Sequence, residues 1–108
     1  MRRVGATTYD HAAALALAGD ARVTGADLLP LAVHGEPDVR AAVAGREDCP
    51  TGALVSLGYD HRPEVLLALL GNARTPTSVV RNLADHAVMD VARAAELRLR
   101  GIASSSVQ

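Results

Sequence analysis

Residues 37–50 read Pro-Asp-Val-Arg-Ala-Ala-Val-Ala-Gly-Arg-Glu-Asp-Cys-Pro, and the proline that closes this stretch opens another of similar design. Pro37, Pro50, Pro63 and Pro76 recur at every thirteenth position. Four places after each proline stands Ala41, Leu54, Leu67 or Val80; seven after it, Ala44, Leu57, Leu70 or Leu83; eight after it, Gly45, Gly58, Gly71 or Ala84. Proline suits a first helical turn because its φ is already helical and its missing N–H has no partner there. An apolar stripe that ends on a small residue completes a short helix. Helices this short fall below the roughly 12–15 residues at which an isolated helix is even marginal in water, so neighbours must hold them. A periodic array of such units predicts an all-α fold, an α-solenoid without β-sheet.

The pattern deepens when the step is doubled. The doubled step links Ala16, Ala42, Ala68 and Ala94; Gly19, Gly45 and Gly71; Leu28, Leu54 and Val80; Leu31, Leu57 and Leu83; and Val39, Val65 and Val91. Two alternating helix types therefore make one 26-residue repeat, about 3.5 repeats in all. The first type carries Asp38, Glu64 or Asp90 in its opening turn, where the helix dipole favours an acid. The second opens near Thr24, Cys49 or Thr75, read as cap positions. The triplet Tyr9-Asp10-His11 echoes Tyr59-Asp60-His61 two positions short of two full repeats, which suggests a small deletion near Ala12 to Ala14. Helices are expected near 9–19, 25–34, 37–45, 50–59, 63–71, 76–86 and 88–100, with Pro30 bending the second. The whole chain reads as one domain: repeats at about 9–35, 36–61 and 62–87, a capping helix at 88–100 and a disordered tail at 101–108.

Composition agrees. Hydrophobic residues make up 49% of the 108, yet the aromatics are two tyrosines, so the core must be built from Ala, Leu and Val. All eleven basic residues are arginine and the formal net charge is −1, a balance that argues against a nucleic-acid binder. Arg2, Arg3 and the run from Ala12 to Ala18 superficially resemble a signal peptide, but Asp10 and His11 interrupt the approach to a short apolar run. No stretch approaches the roughly 20 apolar residues that span a bilayer. A cytoplasmic protein without membrane contact is expected.

Pro37 to Ala44, followed by Cys49-Pro50 and then Leu54 and Leu57, resembles the leucine-rich repeat variant family, a HEAT-like set of helical repeats. Leu28, Leu31 and Ala32 before it, and Pro63 to Leu83 after it, extend the resemblance over roughly residues 10–95. It implies a right-handed superhelix of short α helices alternating with 3₁₀ or α helices. The unit here is slightly longer than the family's usual one, and Arg40 becomes Leu66 and Ala92 one and two repeats on, which leaves the type of each second helix open. Some members carry an iron-sulfur cluster in a separate cysteine-rich segment. This chain has one cysteine, so no cofactor is expected.

Candidate functional residues come from ladders of equivalent polar positions. His34, Asp60 and His86, widened by His61, form one ladder at the ends of the second-type helices. It reads as a partner-binding edge or, more plainly, as helix C-capping by histidine. Equivalents one repeat apart stand about 9–10 Å from each other, too far for shared metal ligation, so no metal is expected. Asp20, Arg46 and Asn72, with Arg22, Asp48 and Arg74 two residues later, form a second ladder that reads as inter-repeat ion pairs or a recognition strip. Cys49 matches a structural cap position better than a nucleophile. These features predict a non-catalytic scaffold for a protein or peptide partner, with Leu97 on the last helix as a point for weak homodimer formation. The alternative, a HEAT-like nucleic-acid clamp, requires Arg40, Arg46, Arg74 and Arg81 to converge on one face.

Overall fold

The computed structural model describes residues 10–106, with side chains described to residue 101. Helices α1 (His11–Ala18), α2 (Leu29–Ala32), α3 (Pro37–Ala44), α4 (Thr51–Leu57), α5 (Pro63–Leu70), α6 (Thr77–Leu83) and α7 (Met89–Ser106) are joined by short turns, and a 3₁₀ turn at Gly25–Leu28 leads into α2. No strand occurs among the described residues. Corresponding helices begin at a constant spacing, at His11, Pro37, Pro63 and Met89 in one series and at Thr51 and Thr77 in the other, each the doubled proline step from the last. The first series packs in order, α1 on α3, α3 on α5 and α5 on α7, while α2, α4 and α6 lie alongside as a second row. None of the helices is long and apolar enough to cross a membrane.

The core is made of Ala, Leu and Val, as the composition requires. Leu28, Leu54 and Val80 are wholly buried, as are Val39, Val65 and Val91. Tyr59, by contrast, is 81% exposed, and Tyr9 lies outside the described residues. The proline-relative stripe needs one correction. Leu67, four places after Pro63, is 40% exposed, whereas Leu54 and Val80, four places after Pro50 and Pro76, are buried. Pro37 and Pro63 occupy the first helical position of α3 and α5, but Pro50 and Pro76 are N-cap residues of α4 and α6. This one-residue offset rotates the buried face relative to the proline, so only alternate helices share a register.

Other expectations are also corrected. Asp10 caps α1 by accepting the Ala13 amide at 2.8 Å, and α1 begins as far before α3 as α3 does before α5, so no deletion near Ala12 to Ala14 is needed. The helix expected over 25–34 divides into the 3₁₀ turn and α2. Pro30 sits in the first turn of α2, where its missing N–H leaves nothing unpaired and no bend is required. Thr24 makes no side-chain cap, and Thr75 Oγ1 donates to the Leu69 carbonyl at 2.7 Å instead of accepting an amide. The last helix continues past the expected boundary at 100 to Ser106, since alanine favours a helix and serine does not forbid one; residues 107 and 108 are outside the described residues.

Packing differs sharply between Gly52, inside α4, and Gly58, its C-cap. A Cβ built on Gly58 would lie 2.8 Å from Val79 Cγ1, whereas one built on Gly52 meets nothing within 4 Å. We predict that Gly58→Ala destabilises the fold by about 1–3 kcal/mol through overpacking. Gly52→Ala within α4 should instead stabilise it by about 0.5–1 kcal/mol through helix propensity. Urea unfolding of both variants checks the contrast.

Candidate functional site

The second ladder is a polar seam whose donors reach back to the preceding turn: Asn72 is buried and Arg46 half-buried, while Arg22, Asp48 and Arg74 are exposed. At the end of α1, Arg46 Nη1 donates to the carbonyls of Ala18 at 3.0 Å and Asp20 at 2.9 Å, and Nη2 to that of Val23 at 2.7 Å. At the end of α5, Arg98 donates to Leu70 at 2.8 Å, Asn72 at 2.6 Å and Thr75 at 3.0 Å, the same three offsets along the chain. Between them the work is divided. Asn72 Nδ2 takes the carbonyls of Ala44 at 2.7 Å and Arg46 at 2.8 Å, while Arg74 Nη1 takes those of Glu47 at 2.9 Å and Cys49 at 2.6 Å. Carbonyls at a helix end lack intrahelical donors. Here the following unit supplies them, and the guanidinium's fork of donors suits several carbonyls at once.

Acids complete these turns. Asp48 holds Arg46 through two bonds of 2.8 Å, and the Arg46 hydrogen bond lowers its pKa. Asp20 accepts both the backbone and the guanidinium of Arg22, which holds its carboxyl down at about 2. Of the two proposed site arginines, Arg46 and Arg74, both are therefore spent on neighbouring turns.

The first ladder has a different role from helix C-capping. His34 Nδ1 accepts the Glu36 amide at 3.1 Å, Asp60 Oδ1 the Arg62 amide at 3.0 Å, and His86 Nδ1 the Val88 amide at 3.0 Å. Each shapes the turn into the next first-series helix, and His34 is buried. Asp60 is further engaged by Arg40 through bonds of 2.7 and 3.1 Å, with Arg40 Nη1 also donating to the His34 and Gly35 carbonyls. Burial alone would raise the Asp60 pKa, but the hydrogen bonds from Arg40 and the Arg62 amide hold it below the usual range. The signal for this pair is Arg40 itself, a charge at the position where the next unit has buried Leu66. His61 is exposed beside it. The structure does not gather His34, Asp60, His61 and His86 into one cluster.

Two other groups bear on chemistry. Cys49 is wholly buried, and burial pushes its thiol pKa up, away from a reactive thiolate. His11, Glu36 and Asp38 place ligand atoms within 4.8 Å of one another, all three residues exposed. His11 Nε2 lies 2.7 and 2.8 Å from the two Asp38 oxygens, so an ion pair between α1 and α3 accounts for the grouping.

Open clefts lie on both rows, beside Ala18, Ala41 and Arg46 on the first and beside α2 and α4 on the second, and the second is the more apolar. A cleft of about 550 Å³ separates α2 from α4, with Leu29, Ala32 and Val33 on one wall, Gly52, Ala53 and Leu57 on the other, and Arg40 and Asp60 at one side. Apolar residues crowd its rim: Leu29 is 45% exposed, Val33 78% and Tyr59 81%, and Val55 on the outer side of α4 is 40% exposed. Sequence reading missed this patch. Its signal is the repeat step applied to exposed positions: Leu29 and Val55 become Arg81, and Val33 and Tyr59 become Asp85.

Replacing Arg46 by Lys should cost about 1–3 kcal/mol in a denaturant titration, because one ammonium cannot reproduce the fork that spans Ala18, Asp20 and Val23. The His11–Asp38 pair gives a pH signature. The Asp38 hydrogen bond raises the His11 pKa above 6.5 and lowers that of Asp38 below 3.8. Its stabilisation is fully present below the unfolded histidine value, is lost as pH rises through the raised His11 value, and is lost again as pH falls through the lowered Asp38 value. Thermal unfolding of His11→Ala should therefore differ from the parent near pH 6 and converge with it at about pH 9.

No curated protein and no solved structure matches the chain. Residues 37–61, which hold α3, its following turn and α4, match the family model described as leucine rich repeat variant. The unit built on Pro37 is thus similar to a repeat of that family, which is HEAT-like and helical.

Proposed function

We propose that the protein is a non-catalytic interaction scaffold, a right-handed solenoid of 26-residue units that presents the α2–α4 face to a protein or peptide partner. The observation that carries this reading is the exposed apolar rim of Leu29, Val33 and Tyr59 around an open cleft. Nothing in the stack needs those side chains in water. Apolar residues gathered on one face, bordered by charged ones, are the usual anatomy of a protein contact. The spacing of helix starts and of the Arg46, Asn72 and Arg98 hydrogen bonds supports the 26-residue unit.

The nucleic-acid alternative requires free, convergent arginines. Arg40, Arg46 and Arg74 are occupied by Asp60, by backbone carbonyls and by Thr51, so phosphate binding would compete with bonds that hold the units together.

A photo-crosslinking amino acid placed in living cells at Val33 or Tyr59, and separately at Arg93 on α7, tests the scaffold reading. Adducts with another protein at positions 33 and 59 but not at 93 are expected. No protein adduct at 33 or 59, or equal labelling at all three, overturns it.

A further inference from the structure

We propose that the cleft between α2 and α4 receives the apolar stripe of an amphipathic helix from another protein. This rests on the scaffold reading and narrows it to one occupant. The chain provides its own comparison, because the clefts on the two sides of α4 are built from corresponding positions. Between α4 and α6, Val79 is seated against Gly58 and about 110 Å³ remains. Between α2 and α4 the corresponding residues, Ala53 and Ala32, both line the cleft, and about 550 Å³ is open. An isopropyl group that closes one cleft is missing from the other.

The shape of the opening selects its occupant. The cleft follows α4 from Pro50 to Tyr59, a length of ~14 Å at the helical rise. Apolar residues at i, i+4 and i+7 of a docked helix span ~10 Å and fit within it. Ala32, Gly52 and Ala53 are small enough to admit a helix at close axial distance. An extended peptide would find little to bind, since both walls are helices whose backbone groups are largely paired within the chain, with no strand edge to extend.

Charge points the same way. Arg40 and Asp60 neutralise each other at the cleft, so it favours neutral apolar side chains. Arg81 on α6 and Asp85 in the turn after it, in the positions of the apolar rim, are exposed and carry no ion pair among the described residues, and they supply a polar border of both signs. A second copy of this chain is a poor occupant. Its longest helix, α7, exposes Met89 and Leu97, but Arg93 and Glu96 stand exposed between them, so it presents no apolar triplet at i, i+4 and i+7.

The probe is a fluorescein-labelled, side-chain-stapled helical peptide with leucine at i, i+4 and i+7 and alternating Glu and Lys elsewhere, titrated against the full chain by anisotropy. Saturable binding is expected, weakened at least ~tenfold by Ala53→Val, with amide shifts in labelled protein centred on Ala32, Ala53 and Leu57. Val33→Glu provides the same reading from the opposite wall, so the test stands if Ala53→Val disturbs folding. Binding that ignores both substitutions, equal binding by a proline-interrupted peptide of the same composition, or no binding up to ~1 mM overturns the inference. So does self-association of the chain that Ala53→Val abolishes. If the peptide result is negative while crosslinks from Val33 and Tyr59 to another protein persist, the helix-in-cleft inference falls and the scaffold reading stands.

Discussion

The carbonyl groups at the C-terminal ends of α1, α3 and α5 are the constraint around which this fold is organised. So short a helix leaves about half of its carbonyls without an intrahelical donor. Gly19, Gly45 and Gly71 end these helices in right-handed geometry, and the turn that follows returns an amide to each, from Asp20 to Leu17, from Arg46 to Val43 and from Asn72 to Leu69. The next unit satisfies the last helical carbonyl, at Ala18, Ala44 or Leu70, and carbonyls of the turn beyond it, with Arg46, with Asn72 and Arg74, or with Arg98. Each helix end thus becomes an interface, and a helix too short to persist alone is held at its weakest point by its neighbour.

The middle junction shows how much freedom this constraint leaves. One guanidinium reaches three carbonyls at the first junction and four, Ala73 included, at the last, while an amide and a guanidinium two positions apart cover four at the central one. The functions are equivalent although the residues at the aligned position, Arg46 and Asn72, differ in charge and length. The same freedom operates on the other row. Val79 closes the cleft beside α6 and Ala53 leaves its counterpart open, while the buried positions Leu28, Leu54 and Val80 stay apolar in each unit.

Much of the architecture is legible in the sequence because it depends on local chemistry. Proline at a helix start, acids at Asp38, Glu64 and Asp90, and apolar residues at a helical spacing are each read without knowledge of the neighbours. The even spacing of the prolines was nonetheless partly misleading, since Pro50 and Pro76 stand one position outside their helices. Candidate sites were less legible. Polar residues that recur once per repeat read equally well as an outward strip or an inward suture, and only the position of Arg46 over the carbonyls of Ala18, Asp20 and Val23 distinguishes them.

The amino-acid sequence by itself determined that the chain is a row of short helices with an Ala, Leu and Val core, because helix starts, stops and apolar stripes are set by residues within a few positions of one another. Tertiary structure decided which polar groups are free. Whether a guanidinium meets solvent or a carbonyl of the preceding repeat, and whether two helices close on each other or leave room for a third, depends on the distance between backbones that only packing sets.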